Sequence, residues 1–323
     1  MQVHRRRFLL LSAGAAVLPA PASAAPSDAY PSRPVRLIVG LPPGSAPDIM
    51  ARLAAQWLEE RLKQSFIVDN RPGSATNIAT EAVARSAPDG YTLLLVTAGN
   101  AINTTLYQHL SVNFSTDIAP VAALGRTPFA MVINPSVPAN NVPEFIAYAK
   151  ANPGKLNLAS PGLGATNQMF GELFEMMTGT RFLHVPYRLS LFPDLLSGEV
   201  QVYFGAIPGV LDYVSTGKLR ALAVTTASRV DALPDVPTMN EFVPGYEANG
   251  WLGLGAPAKT PPEIIDILNR EIGAFEADPG TRRRLTEIGV IPMSATPAEF
   301  AKFIADETDK WAKVVKFAGL RAD

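Results

Sequence analysis

Catalysis needs a nucleophile, a base or a set of metal ligands, and this sequence is poor in all three. Of its three histidines, only His109 and His184 lie beyond the first 24 residues. Each stands beside an apolar run, where a packed or surface role is the ordinary one. There is no cysteine, which removes disulfides, thiolate metal sites, thiol nucleophiles and a lipid-bearing cysteine. The H-E-x-x-H, G-x-S-x-G and phosphate-loop patterns are absent. Gly162-Leu163-Gly164 opens like a dinucleotide fingerprint, but Asn167 stands at its third glycine position. The strand that follows ends in Val185-Pro186-Tyr187-Arg188 rather than in an acid. No cofactor and no metal are expected.

What remains is binding chemistry, and it is concentrated in two Gly/Pro loops. Pro42-Pro43-Gly44-Ser45 precedes an amphipathic run, with Asp48 three residues after Ser45 at the capping-box spacing. Ser160-Pro161-Gly162-Leu163-Gly164-Ala165-Thr166-Asn167 repeats the plan further on. A helix leaves its first N–H groups without internal partners, so each loop offers a seat for an anion such as a carboxylate. Ser45, Thr97, Asn100 and Thr166 are candidates to orient a ligand there. Asp48 repels an anion, so it reads as a helix cap or as the partner of a ligand ammonium. Arg36 and Arg71 are sources of positive charge, and Tyr187 and Trp251 suit either a pocket wall or the core.

The elements around these loops follow from apolar spacing. Val35–Val39 is short, apolar and β-branched, a buried strand. Ile49, Leu53, Trp57 and Leu62 recur at helical spacing and predict a helix to about residue 63. Strands are expected at 66–68 and 91–96, with helices at 78–86 and 102–109 and a small polar loop at 97–100 between strand and helix. This alternation argues for a parallel sheet. Residues 120–133 read as two strands broken at Arg126-Thr127-Pro128. From Val142 the pattern restarts: helix, strand 156–159, Gly/Pro loop, and a helix through Met177. Strands at 182–185, 200–204 and 219–225 and a short helix at 192–197 follow. A Pro-rich stretch at 233–250 leads to a last strand, 251–256, and to helices from Pro262 and Pro297. Two α/β halves result, each with a loop and a helix N-terminus.

The chain has 323 residues, 47% of them hydrophobic and 18% charged, with a net charge of −1. Its first residues carry the marks of an export signal: Arg5-Arg6-Arg7, an apolar run from Phe8 to Leu18, and Ala22-Ser23-Ala24 as the cleavage site. Twin arginines before Phe8-Leu9 fit the Tat route as well as ordinary secretion. Cleavage near Ala24 removes three arginines and no acid, taking the charge from −1 to −4. A chain of that sign has no phosphate-neutralising surplus, which sets nucleic acid aside. Past the signal no run reaches the roughly 18 apolar residues of a membrane span. A periplasmic protein is expected.

At this point the sequence resembles a known family. Tyr30-Pro31 and Pro34, Leu37-Ile38-Val39, Pro42-Pro43-Gly44, Asp48 and Ala51-Arg52 are similar to the opening of the Bug proteins, the extracytoplasmic receptors of tripartite tricarboxylate transporters. The likeness continues through Asn70-Arg71-Pro72-Gly73, Pro88-Asp89-Gly90-Tyr91-Thr92-Leu93, Ala101-Ile102-Asn103 and Gly171-Glu172-Leu173-Phe174. It is seen again at Val185-Pro186-Tyr187, from Gly217 to Thr225, and at Asp235-Val236-Pro237-Thr238. The resemblance implies a two-domain periplasmic-binding-protein fold of α/β class with the ligand cleft between its domains. Residues 25–127 would form domain 1, 128–249 domain 2, and 250–323 the return to domain 1, with hinges near Arg126 and Gly250. It implies a carboxylate held, with bridging waters, between loops falling here on 43–48 and 160–168. The site residues expected on this basis are Pro43, Gly44, Ser45, Asp48, Thr97, Asn100, Ser160, Gly162, Gly164, Ala165, Thr166, Gln168, Tyr187 and Phe204. The partners are a small carboxylate and the membrane permease subunits, with the receptor a monomer.

The chain departs from the family in places. Ser45 replaces a second glycine, Ala165 a Ser or Thr, and Gln168 a His, and Phe204-Gly205 replaces Phe-Asp. The segment from Arg188 to Phe192 is about two residues shorter. Leu189, Leu191 and Phe192 would make that wall more apolar, favouring an aromatic or longer aliphatic acid. Dicarboxylates, tricarboxylates, acidic amino acids and aromatic acids all remain open as ligands. Two other functions fit the same scaffold: a periplasmic enzyme, and a ligand sensor for a signalling kinase.

Overall fold

The computed structural model describes residues 30–322; the export signal and its cleavage site lie outside them. Two five-stranded sheets carry the structure, and they are built alike. In the first, β1 (Val35–Val39), β2 (Phe66–Asn70) and β3 (Thr92–Thr97) are parallel in the order β2-β1-β3. β4 (Ile118–Thr127) closes the far edge, and β10 (Gly250–Pro257) lies antiparallel between β3 and β4. In the second sheet, β6 (Leu156–Ser160), β7 (Phe182–Pro186) and β8 (Val202–Ala206) are parallel in the order β7-β6-β8. β5 (Phe129–Ile133) is antiparallel to β8 and to the edge strand β9 (Arg220–Val224).

The helices follow the strands. On the first sheet lie α1 (Ala46–Leu62), α2 (Asn77–Ala84), α3 (Ala98–Leu106) and the short α4 (Phe114–Asp117). The second sheet carries α5 (Val142–Ala151), α6 (Thr166–Thr178), α7 (Phe192–Ser197) and α8 (Ile207–Ser215). The chain ends in α9 (Pro262–Ala277), α10 (Pro279–Glu287) and α11 (Pro297–Ala318). α1 shows why these segments are helical. Pro47 sits in its first turn, and Met50, Ala51, Ala54, Ala55 and Leu58 bury one stripe, the three-and-four spacing of an amphipathic helix. Lys63 then turns left-handed at φ 58° and stops it.

The chain crosses between the sheets at two neighbouring places. β4 ends at Thr127 and β5 begins at Phe129, so the first crossing is Pro128 alone. The second enters β10, where Gly250 pairs with Thr127 and Trp251 with Arg126. α11 packs on both sheets' helices: its Trp311 stacks on Phe170 of α6 with centroids 5.5 Å apart. The same helix buries Glu307, which accepts the indole N–H of Trp311 at 3.0 Å and that of Trp251, on β10, at 2.9 Å. Trp251 is therefore core, not pocket wall.

Four helical segments depart from the sequence reading, the short α4 being one. Residues 97–100 are the start of α3 rather than a loop, because Thr97 and Asn100 form a capping box. α8 and α10 were not expected, since Pro208-Gly209 and Pro279-Gly280 look like turns. In both, the proline occupies the first turn, where its missing N–H costs nothing.

Two buried acids make the fold sensitive to pH. Burial pushes Glu276 from its ordinary 4.5 up to about 7, although it accepts the Met293 N–H at 2.9 Å. Burial also pushes Glu175 up to about 8, against the pull of the Phe182 N–H bond. A raised folded-state pKa means that the native chain holds protons the unfolded chain has released. This stability is complete below the ordinary carboxylate range and is lost as pH rises through these values. The melting temperature should therefore fall between about pH 5 and 8. Glu276→Gln keeps an acceptor for Met293 and should recover about 1 to 3 kcal/mol at the alkaline end; an unchanged slope in the variant refutes the assignment.

Candidate functional site

In each sheet the first parallel strand lies between the next two, β1 between β2 and β3 and β6 between β7 and β8, so the chain steps to one side and then crosses back to the other. Ligands of open α/β sheets bind at such switch points, outside the carboxyl ends of the strands. The loops after β1, β3, β6 and β8 occupy that place, and both Gly/Pro loops picked out in the sequence are among them.

After β1, Pro42 and Pro43 turn the chain and Gly44 takes φ +81°. The Ser45 hydroxyl does not cap α1; it donates to the Pro42 carbonyl at 2.8 Å, which the turn has brought within reach. Asp48 faces back into the loop and accepts the Gly44 N–H at 2.8 Å. Its carboxylate is 2% exposed and also takes Arg52 Nε at 3.0 Å and Asn70 Nδ2 at 2.9 Å. Burial by itself would raise this carboxyl, but the donors from Arg52, Gly44 and Asn70 outweigh it and hold the group below its usual value. The capping-box expectation is corrected on both sides: Ser45 caps nothing, and Asp48 holds Gly44. Arg36 and Arg71 both pair with Asp69, so neither is a free cation facing the loop.

The end of β3 is rigid. Asn100 is 2% exposed, and its Oδ1 accepts the Thr97 N–H at 2.7 Å and the Thr97 hydroxyl at 3.2 Å. Its Nδ2 donates to Thr80 Oγ1 at 2.8 Å and Thr76 Oγ1 at 3.2 Å. The whole amide is thus spent inside the protein, and Asn100 fixes the backbone instead of reaching a ligand. Thr76 ends a turn in which Gly73, Ser74, Ala75 and Thr76 all have positive φ. Asn103 Nδ2 braces that turn through the Ala75 carbonyl at 2.6 Å. Gly40, at the end of β1, lies against it, since a Cβ there would sit 2.8 Å from Thr76 Cβ.

The loop after β6 is built from a buried serine. Ser160 Oγ lies 2.6 Å from His184 Nε2 and 2.9 Å from the Gly162 carbonyl, and accepts the Gly162 N–H at 3.1 Å. Burial lowers the pKa of His184, which favours the neutral ring. Ser160 is 0% exposed, and no carboxylate bonds the imidazole among the described residues, so the pair shapes a turn and presents no nucleophile. Gly164 takes φ +73° and donates its N–H to Gln168 Oε1 at 2.8 Å. A Cβ on Gly164 would lie 2.1 Å from Leu106 Cδ2, so this loop rests on the end of α3. Ala165 is the N-cap of α6 and Thr166, half-buried, its first residue.

Other expected residues lie elsewhere. Tyr187 is joined to the loop through its N–H on the Ser160 carbonyl at 2.8 Å. Its hydroxyl donates to Asp194 at 2.7 Å, and burial first and this bond second push its pKa up to about 12. Phe204 is a correction: its ring is 0% exposed and packs on Phe174, leaving only its carbonyl near the loop. The apolar wall is corrected too. Leu191 is buried in the core, Phe192 stacks on Tyr213 at 4.9 Å, and Leu189 alone is exposed, at 90%. Sequence reasoning passed over Asn167 except as a missing glycine. Its Nδ2 reaches Tyr203 Oη at 3.0 Å and the Phe204 carbonyl at 2.7 Å, tying α6 to β8. Its place in the first turn of the helix was the available signal.

Two matched α/β units, with loops at facing strand ends and two side-by-side crossings, define the solute-binding receptors of the periplasm. The chain belongs to one such family, described as the tripartite tricarboxylate transporter family receptor, which it matches over residues 50–320. It is 38% identical over 307 residues to Protein BugT of Bordetella pertussis, covering 94% of this chain and 93% of that one. Among solved structures it is similar to R. palustris Rpa4515 with adipate, at 36% identity and TM-score 0.79, covering 90% of this chain and 99% of the other. MatC (Rpa3494) from Rhodopseudomonas palustris with bound malate matches at 27% identity and TM-score 0.75, covering 88% of this chain and 100% of the other. The chain is a periplasmic solute-binding receptor of this family, whose members are receptors and not enzymes.

Asn100→Ala should cost about 1 to 3 kcal/mol, because it strands the Thr97 N–H and takes away the donor to the buried Thr76 and Thr80 hydroxyls. A urea midpoint equal to that of the wild type would show that this network carries no load.

Proposed function

We propose that this receptor captures a small carboxylate, with aliphatic dicarboxylates the first class to test, and delivers it to the membrane permease of a tripartite transporter. The observation that carries the reading is the matched pair of loops. The N–H groups of Ala46 and Asp48 in α1, and of Thr166, Asn167 and Gln168 in α6, stand in first turns, where a helix has no acceptor of its own. Loops 43–48 and 160–168 thereby present fixed donors at the ends of both parallel units. The neighbours carrying adipate and malate support the ligand class. On this reading residues 1–24 are cleaved on export, and the mature receptor is a monomer. Residues 25–127 and 250–323 form one domain and 128–249 the other. The adjacent positions Thr127 and Gly250 absorb the closing rotation, driven by tighter binding in the closed state.

Thermal unfolding of residues 25–323 with adipate, malate, monocarboxylates and the matching amides tests this. An acid at about a hundred times its Kd should add roughly 2.7 kcal/mol, a rise of about 2 to 8 °C, with no rise from its amide. No rise with any acid, from a chain shown by mass spectrometry to carry no ligand, overturns the reading.

Ser45→Pro probes the first loop. Ser45 already has φ −70°, close to the angle a proline ring imposes, so the change keeps the backbone path. It removes the N–H and hydroxyl bonds to the Pro42 carbonyl that hold the turn in front of the Ala46 and Asp48 N–H groups. The unliganded melting temperature should move by less than about 3 °C while affinity for the responding acid falls at least about tenfold. Equal losses in folding and binding would make the loop structural only.

A further inference from the structure

The two loops share a device that the helix ends do not explain. Gly44 and Gly164 are both left-handed, at φ +81° and +73°. Each donates its N–H to a side-chain oxygen four residues on, in both cases at 2.8 Å. The acceptors, Asp48 and Gln168, stand at the third residue of their helices and are 2% and 1% exposed. Gly44 has open space where a Cβ would be, so crowding does not set its conformation. The turn calls for it, since Pro42–Ser45 closes with the Ser45 N–H on the Pro42 carbonyl at 3.3 Å, as Gly162–Ala165 closes at 3.2 Å; the bond to Asp48 ties that turn to the third residue of α1.

We infer that Asp48 and Gln168 are paired positioning residues: each locks its loop glycine and so aims the free N–H groups of its helix at the ligand. The inference rests on the reading that these loops hold the ligand. The two locks differ in charge. Asp48 is an anion balanced by Arg52, whereas Gln168 is neutral and passes the interaction on, its Nε2 donating to Glu172 Oε1 at 3.1 Å. A protonated carboxyl at position 168 could make both bonds, accepting from Gly164 and donating to Glu172. An ionised one sets a second negative charge against Glu172, directly behind the glycine that faces an anionic ligand. Gln168→Glu should therefore turn a constant lock into one that opens with rising pH.

Other titratable groups bear on that position. Glu172 and Glu175 lie along α6, and Arg181, just before β7, acts on Glu175. His184 reaches the loop through Ser160, and Tyr203 on β8 is bonded by Asn167. On α11, beside α6, Lys310 is engaged by Glu307. Among the described residues Gln168 is bonded by Gly164 and Glu172 and by no cation, so no pairing partner offsets the added charge.

The test uses the full mature chain, residues 25–323, labelled with nitrogen-15, with adipate as the probe. The Gly164 amide shift and its exchange rate are followed from about pH 5 to 9. Adipate affinity is measured by calorimetry at both ends of that range. In Gln168→Glu the Gly164 amide should show a titration step absent from the wild type, and adipate affinity should fall at least about tenfold more toward alkaline pH than in the wild type. Gln168→Met, which keeps the bulk and removes the acceptor, should speed Gly164 exchange and weaken adipate at every pH. It serves also if the acid variant does not fold. A Gly164 amide unaltered in both variants overturns the lock. An altered amide with unaltered adipate affinity overturns the positioning role. If the wild type binds neither adipate nor any other acid, the receptor reading and the positioning role fall together, while the amide still reports whether the lock exists.

Discussion

A helix cannot satisfy its own first N–H groups, and the rest of this structure depends on where two such ends are placed. Left in bulk water they would bind only water. Here each follows a parallel strand through a tight Gly/Pro turn, at the one edge of its sheet where the connections diverge. The donors are fixed by the sheet beneath them, and on the proposed reading a ligand would not have to order them on binding. Much of the polar network around the switch points serves that end. Asn100 commits its whole amide to Thr97, Thr76 and Thr80, and Ser160 commits its hydroxyl to Gly162 and His184.

The second constraint is the near coincidence of the two crossings. Thr127 and Gly250 are paired residues of neighbouring strands, so both connections pass between the sheets at one place. Arg126 braces this place through backbone bonds to Ile291 and through Glu247 at 3.6 Å. α11 ties the sheets more firmly, by the Trp311–Phe170 stack and the shared carboxylate of Glu307. On the proposed reading the crossings are the path about which the two units turn, and α11 the packed element that limits the turn.

The sequence made the repeated strand, loop and helix units readable because their signals are local. A β-branched run, a proline in a first turn and apolar residues three and four apart act over a few residues, whatever the rest of the chain does. The same locality explains the misses. Pro208-Gly209 and Pro279-Gly280 have the composition of turns, and only the continuing amphipathic pattern, held by packing, makes them helix starts. Thr97 to Asn100 looked like a loop because a capping box is written in polar residues.

Sequence alone determined the α/β class, the two Gly/Pro loops and the absence of thiol chemistry, and the resemblance carried by its motifs gave the family. Tertiary structure decided what each side chain near those loops does. Asp48 turned inward to Gly44, Asn100 became a brace, and Trp251 and Phe204 went to the core. The reason is distance along the chain. Asp48 meets Asn70, Asn100 meets Thr76 and Thr80, and Trp251 meets Glu307 only after separate segments have docked. Residue type limits the bonds a side chain can make; sheet register and helix docking choose among them.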